Sequence, residues 1–205
     1  MVQFDHKNIK WILFDLSGVI VPFTFMKPEG YEYKSRFFRS EELERIFYGE
    51  EYKSYMCGML SHEQVTERYI KKKHLDLTVE EFNELFKNDQ RPMEGMLELC
   101  SELSKKYKLA LATNEGNINM KYKVEGSGII PYLTKIIPSY ILRVVKPDAR
   151  FYTKLLKRID AKPQECIFID DAKRNVDTAE KVGIKSLLFT NTVQLRDDLV
   201  QLHIL

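Results

Sequence analysis

The sequence predicts an α/β fold: a doubly wound parallel sheet with an inserted all-helical domain. Three apolar runs predict the sheet, at residues 12–14, 108–113 and 166–170. Each run is continuous rather than alternating, which is typical of a strand buried on both faces. Polar residues stand at the carboxyl end of each run. Open α/β sheets bind their ligands at the carboxyl ends of the strands, so these residues are candidates for a binding site. The polar residues are Asp15, Thr113 with Asn114, and Asp170 with Asp171.

Helical patterns separate the strands from residue 93 onward. The spacing of apolar residues predicts helices near 94–106, 117–127, 148–159 and 173–182. Strands are predicted near 108–113, 135–138, 166–170 and 185–189. Such alternation of strands and helices implies a parallel sheet with helices on both faces.

Residues 23–90 have a different pattern. Ser40, Ser61 and Thr78 each precede acidic residues and then apolar residues spaced three or four apart, which predicts three helix starts. No strand pattern is evident there. We therefore predict a small all-helical domain, residues 23–90, inserted into a core made of residues 1–22 and 91–205.

Composition excludes several classes of protein. In 205 residues, 44% are hydrophobic, 30% are charged and the net charge is +2. That balance suits a globular protein and does not favour nucleic acid or an acidic membrane as a partner. There is no apolar stretch near 18 residues and no signal-peptide pattern, and the three cysteines are widely separated. These features predict a cytoplasmic protein with reduced thiols.

Four polar segments carry the chemistry of the chain, and they stand in a set order. They are Asp15 in the first segment, Thr113–Asn114 in the second, Lys146 before Pro147–Asp148 in the third, and Asp170–Asp171 in the fourth. In order and spacing they resemble the motifs of the haloacid dehalogenase-like superfamily, and the resemblance covers nearly the whole chain. It implies that the insertion, which lies between the first two motifs, is a helical cap closing over an active site.

The resemblance also implies roles for the residues that match the motifs. Asp15 would be a nucleophile that forms an aspartyl-phosphate, splitting one difficult displacement into two easier ones. Thr113 and the backbone N–H of Asn114 would donate to the phosphoryl oxygens, and Lys146 would supply positive charge to those oxygens and to Asp15. Gly18 would let the chain turn tightly beside the phosphate.

A cation is expected in the same site, because a carboxylate nucleophile and an anionic phosphate repel each other. Asp15, Asp171 and the backbone carbonyl of Ser17 would hold Mg²⁺, an ion that prefers oxygen ligands. Asp170 would orient a metal-bound water. The alternative for the acid pair is a structural one, in which it stabilises the N-terminus of the following helix.

Ser17 departs from the pattern of the family. Active phosphatases of this superfamily usually have a second aspartate at this position, which protonates the leaving group and then activates water. A serine hydroxyl is not an acid at neutral pH, and general acid–base assistance contributes about 10²–10⁴ in rate. We therefore expect metal and phosphate binding to be retained and turnover to be weakened.

The leading hypothesis is a Mg²⁺-dependent phosphatase acting on a small phosphorylated metabolite. The alternative is a catalytically silent protein that binds phosphate and acts through a ligand or partner. Dehalogenation or phosphonate cleavage is less favoured, because dehalogenating relatives need no metal and lack the Asp-Asp pair in the fourth motif. The predicted substrate contacts are Phe23, Phe25 or Glu115. The sequence leaves the substrate and the oligomeric state open.

Overall fold

A computed structural model describes residues 4–22, 30–39, 49–87 and 91–205. The centre of the fold is a five-stranded parallel sheet, whose strands are β1 Trp11–Phe14, β4 Lys108–Thr113, β5 Leu133–Pro138, β6 Cys166–Asp170 and β7 Lys185–Leu188. Their order across the sheet is β5-β4-β1-β6-β7. The fold class predicted from the sequence is confirmed, and β4 and β6 have the predicted bounds.

Helices cover both faces of the sheet, so alternate residues of β1 enter two different cores. Ile12 and Phe14 pack in one apolar cluster, while Trp11 and Leu13 pack in the other. Both faces are therefore apolar, which explains why the strand sequence does not alternate. Burial of each such side chain contributes about 1.5–3 kcal/mol.

Five helices supply the other side of these two cores. On the first face lie α4 Met96–Ser104, α5 Asn117–Ser127 and α9 Thr192–Gln201; on the second lie α7 Ala149–Ile159 and α8 Lys173–Lys181. A short helix, α6 Ser139–Leu142, follows β5. The bounds of α4, α5, α7 and α8 agree with the predicted ranges to within two residues. Helix α9 was not predicted from the sequence.

The strand order places the ends of β1, β4 and β6 side by side. Phe14 is in register with Leu111 of β4 and with Ile169 of β6. The backbone N–H of Asp15 also donates to the carbonyl of Ile169 over 2.9 Å. The chain order reverses about β1, and a sheet opens a crevice for ligands at such a point.

Between β1 and α4, the inserted region contains helices and a hairpin. The helices are α1 Glu50–Met56, α2 His62–Lys73 and α3 Val79–Lys87, and the hairpin strands are β2 Tyr31–Tyr33 and β3 Arg36–Phe38. Helix α2 begins after its N-cap Ser61, as predicted, and Ser61 and Gln64 form a capping box there. The helix predicted to start at Ser40 lies outside the described residues.

The hairpin corrects the expectation of an all-helical insertion. Its two turn residues, Lys34 and Ser35, both have positive φ angles (47° and 62°), as a tight two-residue hairpin turn requires. Glycine or asparagine usually marks such a turn, so the sequence did not reveal it. Phe38 is buried against Tyr69 and Phe82, which ties the hairpin to the helices of the insertion.

The inserted region is docked on the core near the amino end of α5. The Ser139 hydroxyl donates to the carbonyl of Met56 over 2.7 Å, and Arg143 donates to the carbonyl of Gly58. The ring of Tyr55 lies directly on Gly116, where a Cβ atom would overlap it. A glycine at position 116 therefore permits this close approach.

Among the described residues, no helix is both long enough and apolar enough to cross a bilayer.

Candidate active site

Lys146 lies between two carboxylates at the carboxyl edge of the sheet. Its Nζ atom is 3.0 Å from Oδ2 of Asp15 and 2.6 Å from Oδ2 of Asp170. The side chains of Lys146 and Asp170 are completely buried, and only 12% of the Asp15 side chain is exposed. Buried charges are tolerated when they are paired and hydrogen-bonded, and this arrangement satisfies both conditions.

Asp170 is fixed on both of its oxygens. Oδ2 accepts from Lys146, while Oδ1 accepts from the backbone N–H of Ala172 and from the side-chain amide of Asn175, both over 2.9 Å. Such a carboxylate holds Lys146 in place. Asp171 is less buried than its neighbour, and among the described residues its carboxylate accepts a hydrogen bond from its own backbone N–H. Its remaining lone pairs can bind another ligand.

Asp15, Asp170 and Asp171 form an acidic cluster suited to a cation. One carboxylate oxygen from each lies within 4.8 Å of the others. Hard oxygen ligands at this spacing fit Mg²⁺. We call Asp15, Lys146, Asp170 and Asp171 the Asp15 cluster.

Burial, together with the repulsion between neighbouring carboxylates, shifts the pKa values of the acids in the cluster. Burial raises the pKa of Asp15 to about 7; Lys146 opposes this rise and Asp170 adds to it. Burial, and then Asp170, also raise the pKa of Asp171. Burial by itself lowers the pKa of Lys146, but the two carboxylates outweigh it and the net shift is upward. A divalent cation would relieve the repulsion between the acids.

Thr113 and Asn114 join the same site from the end of β4. The buried Thr113 hydroxyl hydrogen-bonds the Asp15 carboxylate. The Asn114 side chain donates to the carbonyl of Lys146 over 2.9 Å and accepts from its N–H over 2.7 Å. The sequence assigned only the backbone N–H of Asn114 to the site, yet its side chain also positions the lysine.

Gly18 and Ser17 lie in the loop that follows Asp15. Gly18 has a φ of 86° and its N–H donates to the carbonyl of Val21 over 2.7 Å, so it forms the expected tight turn. The Ser17 hydroxyl donates to Oε1 of Glu115 over 2.9 Å and accepts from Nζ of Lys123 over 2.7 Å. Lys123 also pairs directly with Glu115.

Ser17, Glu115 and Lys123 form a second polar cluster, which we call the Ser17 network. The side chains of Glu115 and Lys123 are only 4% and 7% exposed. A buried ion pair is weak evidence for a stabilising role, because desolvation offsets the attraction. Lys123 was missed in the sequence. No local pattern marks it, because Glu115 lies before the first residue of α5 and only the folded chain brings the two side chains together.

The structure thus brings together most of the residues predicted for the site. Asp15, Thr113, Asn114, Lys146, Asp170 and Asp171 meet at the sheet edge, and Ser17 with Glu115 lies beside them. Phe23 and Phe25, the other predicted substrate contacts, lie outside the described residues. Asn119, Lys123 and Asn175 are polar residues of the site region that were not predicted.

The family model for haloacid dehalogenase-like hydrolases matches residues 12–189. The chain therefore belongs to this family. The match contains the strands and the polar residues described above.

Individual relatives include proteins with phosphatase names. The chain is 31% identical over 134 residues to flavin mononucleotide hydrolase 1 of Arabidopsis thaliana, covering 63% of this chain and 53% of that protein. It is 27% identical over 106 residues to a phosphorylated carbohydrates phosphatase of Thermotoga maritima, covering 52% and 48%. The chain thus spans about half the length of these curated relatives.

A solved structure shares the fold over most of both chains. It is a haloacid dehalogenase family enzyme from Bacteroides thetaiotaomicron in complex with magnesium and inorganic phosphate. The TM-score is 0.73 at 18% identity, covering 90% of this chain and 96% of that one. At this identity the likeness shows the fold alone.

Proposed function

We propose that the protein is a Mg²⁺-dependent phosphatase that acts on a small phosphorylated metabolite through an aspartyl-phosphate. The observation that supports this most strongly is the Asp15 cluster. It combines a buried carboxylate, a buried ammonium group 3.0 Å away and a third acid whose remaining lone pairs can bind a ligand. Phosphoryl transfer requires such a nucleophile together with neutralisation of the phosphoryl oxygens.

Each residue of the site has a part in this mechanism. An oxygen of Asp15 attacks phosphorus as the bond to the leaving oxygen breaks. Lys146 neutralises the phosphoryl oxygens, with hydrogen bonds from Thr113 and the backbone N–H of Asn114. Asp15, Asp171 and the Ser17 carbonyl would hold Mg²⁺, and that ion would supply positive charge that reduces the repulsion between nucleophile and phosphate. Asp170 holds Lys146 in place beside them and is proposed to orient a water of the site.

Ser17 limits the rate in this proposal. The departing oxygen needs a proton unless the leaving group is already a stable anion. The Ser17 hydroxyl does not supply one efficiently at neutral pH, so the reaction loses part of the assistance that a carboxylic acid would give. Activated esters and acyl phosphates are therefore expected to react faster than alkyl phosphates.

The insertion, residues 23–90, is proposed to act as a cap over the site, on a core of residues 1–22 and 91–205. The contacts of Tyr55 with Gly116 and of Met56 with Ser139 support this proposal, since Gly116 directly follows Glu115. A cytoplasmic location is part of the same proposal. Cys57, Cys100 and Cys166 are free and buried, which suits a reducing compartment.

A silent phosphate-binding or regulatory protein is the second candidate. The Ser17 network favours it, because the Ser17 hydroxyl is already committed to two partners. Dehalogenation is less favoured, because dehalogenating relatives need no metal, whereas the acid pair at 170 and 171 is suited to hold one.

Phosphate release from a panel of monoesters, measured with Mg²⁺ and with EDTA, tests the proposal. The panel includes p-nitrophenyl phosphate, acetyl phosphate and several sugar phosphates. Magnesium-dependent release from at least one compound is expected. If no compound releases phosphate while inorganic phosphate still binds in the presence of Mg²⁺, the silent binding protein is the better description.

A further inference from the structure

Helix α5 begins without a side-chain cap of its own. Its N-cap residue is Gly116, and the first bond within the helix runs from the N–H of Met120 to the carbonyl of Gly116 over 3.1 Å. The N–H groups before Met120 need acceptors from outside the helix, and a Ser, Thr, Asp or Asn side chain at the N-cap usually provides one. Gly116 has a φ of −81° and a ψ of 168°, which any residue can adopt. The need for glycine at this position therefore comes from another contact.

The insertion supplies both that contact and an acceptor. The ring of Tyr55, on α1, lies where a Cβ atom of residue 116 would be. Its hydroxyl oxygen accepts from the N–H of Ile118 over 3.2 Å, a donor that the Asn117 side chain shares over 2.9 Å. Burial raises the pKa of the Tyr55 hydroxyl, and the N–H of Asn119 opposes this rise, so that N–H also lies beside the oxygen. Ile118 and Asn119 are the second and third residues of α5, whose N–H groups an N-cap side chain normally binds.

The core caps the insertion in return. Helix α1 ends at Met56, and the last carbonyls of a helix need donors from outside it. The Ser139 hydroxyl donates to the carbonyl of Met56 over 2.7 Å, and the Arg143 guanidinium donates to the carbonyls of Cys57 and Gly58. A positive charge is also favourable at the carboxyl end of a helix. The insertion and the core therefore each satisfy backbone groups of the other.

This junction lies next to the Ser17 network. Glu115 directly precedes Gly116, and the backbone carbonyl of Glu115 is 3.4 Å from the Ser139 hydroxyl. The carboxylate of Glu115 accepts from the Ser17 hydroxyl over 2.9 Å. A rearrangement of the first turn of α5 therefore moves the residue that binds Ser17.

We propose that the insertion and the core cap each other's helices, so that docking of the insertion orders the first turn of α5 and positions Glu115 against Ser17. Tyr55 is the positioning residue in this arrangement. The inference goes beyond the proposed function, because it holds for the folded chain with or without turnover. It predicts that the loss of one cap weakens the other.

Hydrogen exchange of single backbone amides, measured by NMR, tests the inference. Tyr55→Phe keeps the ring on Gly116 and removes only the oxygen. We expect the amide of Asn119 to exchange about 5-fold faster, because the loss of an N-cap oxygen destabilises the first turn of a helix by about that factor. Tyr69→Phe is the matched control, since Tyr69 is a buried tyrosine of the insertion that packs against Phe82. A change of less than about twofold at Asn119 in Tyr55→Phe would overturn the inference.

A second pair of variants distinguishes capping from packing. Tyr55→Ala removes both the ring and the oxygen, so the amides of Asn119 and of α1 should exchange faster than in the wild type. Adding Gly116→Ser gives α5 a cap of its own, because the ring no longer occupies the space of the Cβ atom. Exchange at Asn119 should then return to within about twofold of the wild-type rate, while the amides of α1 remain faster. No recovery at Asn119 would contradict the capping role of Tyr55.

Substitution on the core side tests whether the two caps are coupled. Ser139→Ala removes the donor at the end of α1 and should speed exchange both in α1 and at Asn119. Ser186→Ala, at another buried serine of the core, is the control and should change neither rate. The amide signal of Ser17 should shift in both Ser139→Ala and Tyr55→Phe.

Two outcomes would overturn the coupling: faster exchange confined to α1 in Ser139→Ala, or an unshifted Ser17 signal in both variants. None of these measurements requires turnover. A failure of the proposed phosphatase activity would therefore leave the inference intact, and the reverse also holds.

Discussion

The Asp15 cluster and the Ser17 network lie side by side, yet their charges are satisfied in different ways. In the Asp15 cluster, Lys146 contacts two carboxylates, and Asp170 uses both of its oxygens. In the Ser17 network, Lys123 and Glu115 also pair, but one oxygen of Glu115 has no partner among the described residues. The contacts of Lys146 and Asp170 are thus complete among the described residues, whereas one carboxylate oxygen of the Ser17 network has no partner there.

This difference indicates which residues act on the phosphate group, common to all substrates, and which act on the leaving group. A phosphate group is the same in every monoester, so the residues that handle it can be held rigidly. The leaving group varies, and Ser17 stands at the position where the proton donor to the leaving group is expected. Changes in the Asp15 cluster should therefore affect all substrates alike, whereas changes in the Ser17 network should depend on the leaving group.

Asp15→Asn should have the largest effect. The amide keeps the shape of the side chain and removes the nucleophile, so turnover of every phosphate ester should fall by about 10⁴-fold or more. Steady-state phosphate release measures this, and circular dichroism checks the fold. Asp177→Asn, at a partly exposed position that pairs with Lys173 on α8, serves as control and should retain activity. Wild-type turnover in the Asp15 variant would rule out the covalent mechanism.

Substitutions at Asp170 and Asp171 should have different effects, the first mainly on the free energy of unfolding and the second mainly on Mg²⁺ binding. Asp170→Ala leaves buried Lys146 without its closest partner and should cost about 3–5 kcal/mol of unfolding free energy. Asp171→Ala should change stability by about 1 kcal/mol or less and abolish Mg²⁺ binding. Denaturant unfolding and calorimetry measure the two effects. Equal Mg²⁺ affinity in wild type and Asp171→Ala would remove Asp171 from the metal site.

Ser17→Asp should raise turnover of alkyl phosphates by about 10²-fold, because it supplies the missing acid. Lys123 and Glu115 both lie within hydrogen-bond distance of the Ser17 hydroxyl, so the new carboxylate is attracted by the first and repelled by the second. With p-nitrophenyl phosphate the gain should be smaller, since that leaving group needs little protonation. Ser17→Asn, which has a similar size and no acid, is the control. If both substrate types stay inert while Mg²⁺ binds, the silent binding protein is favoured.

The raised pKa of Asp15 should appear in the pH dependence of stability. Its value of about 7 in the folded protein exceeds the ordinary value in an unfolded chain, about 3.9. The folded state then binds more protons between these values, so stability without metal should fall as the pH rises from about 4 to 7. Melting temperatures in EDTA measure this slope. The slope should be weaker in Asp15→Asn, and parallel curves for the two proteins would refute the shift.

The sheet and the Asp15 cluster could be predicted from the sequence because both follow a simple rule. A strand buried on both faces is a continuous apolar run, and its end is marked by the first polar residue. Residues 108–113 and 166–170 follow this rule and were predicted to the residue. Parallel pairing then brings Asp15, Thr113 and Asp170 to one edge.

The hairpin and the Ser17 network could not be predicted in the same way. Lys34 and Ser35 adopt positive φ angles that their residue types rarely take. The sequence therefore contains no residue that marks this turn. Asn119 and Lys123 belong to residue types that are usually exposed. Only the packing of α5 against the Ser17 loop and against α1 buries them. Tertiary contacts, and not local sequence, create that part of the site.

Trapping of the covalent intermediate tests the central claim most directly. Wild-type protein mixed with p-nitrophenyl phosphate and Mg²⁺ is quenched rapidly in acid, digested and analysed by mass spectrometry. One added phosphoryl group is expected on the peptide that contains Asp15, at Asp15 itself, and none in the Asp15→Asn protein. Phosphate release with no phosphorylated peptide, or with the phosphoryl group on another residue, would contradict Asp15 as the nucleophile.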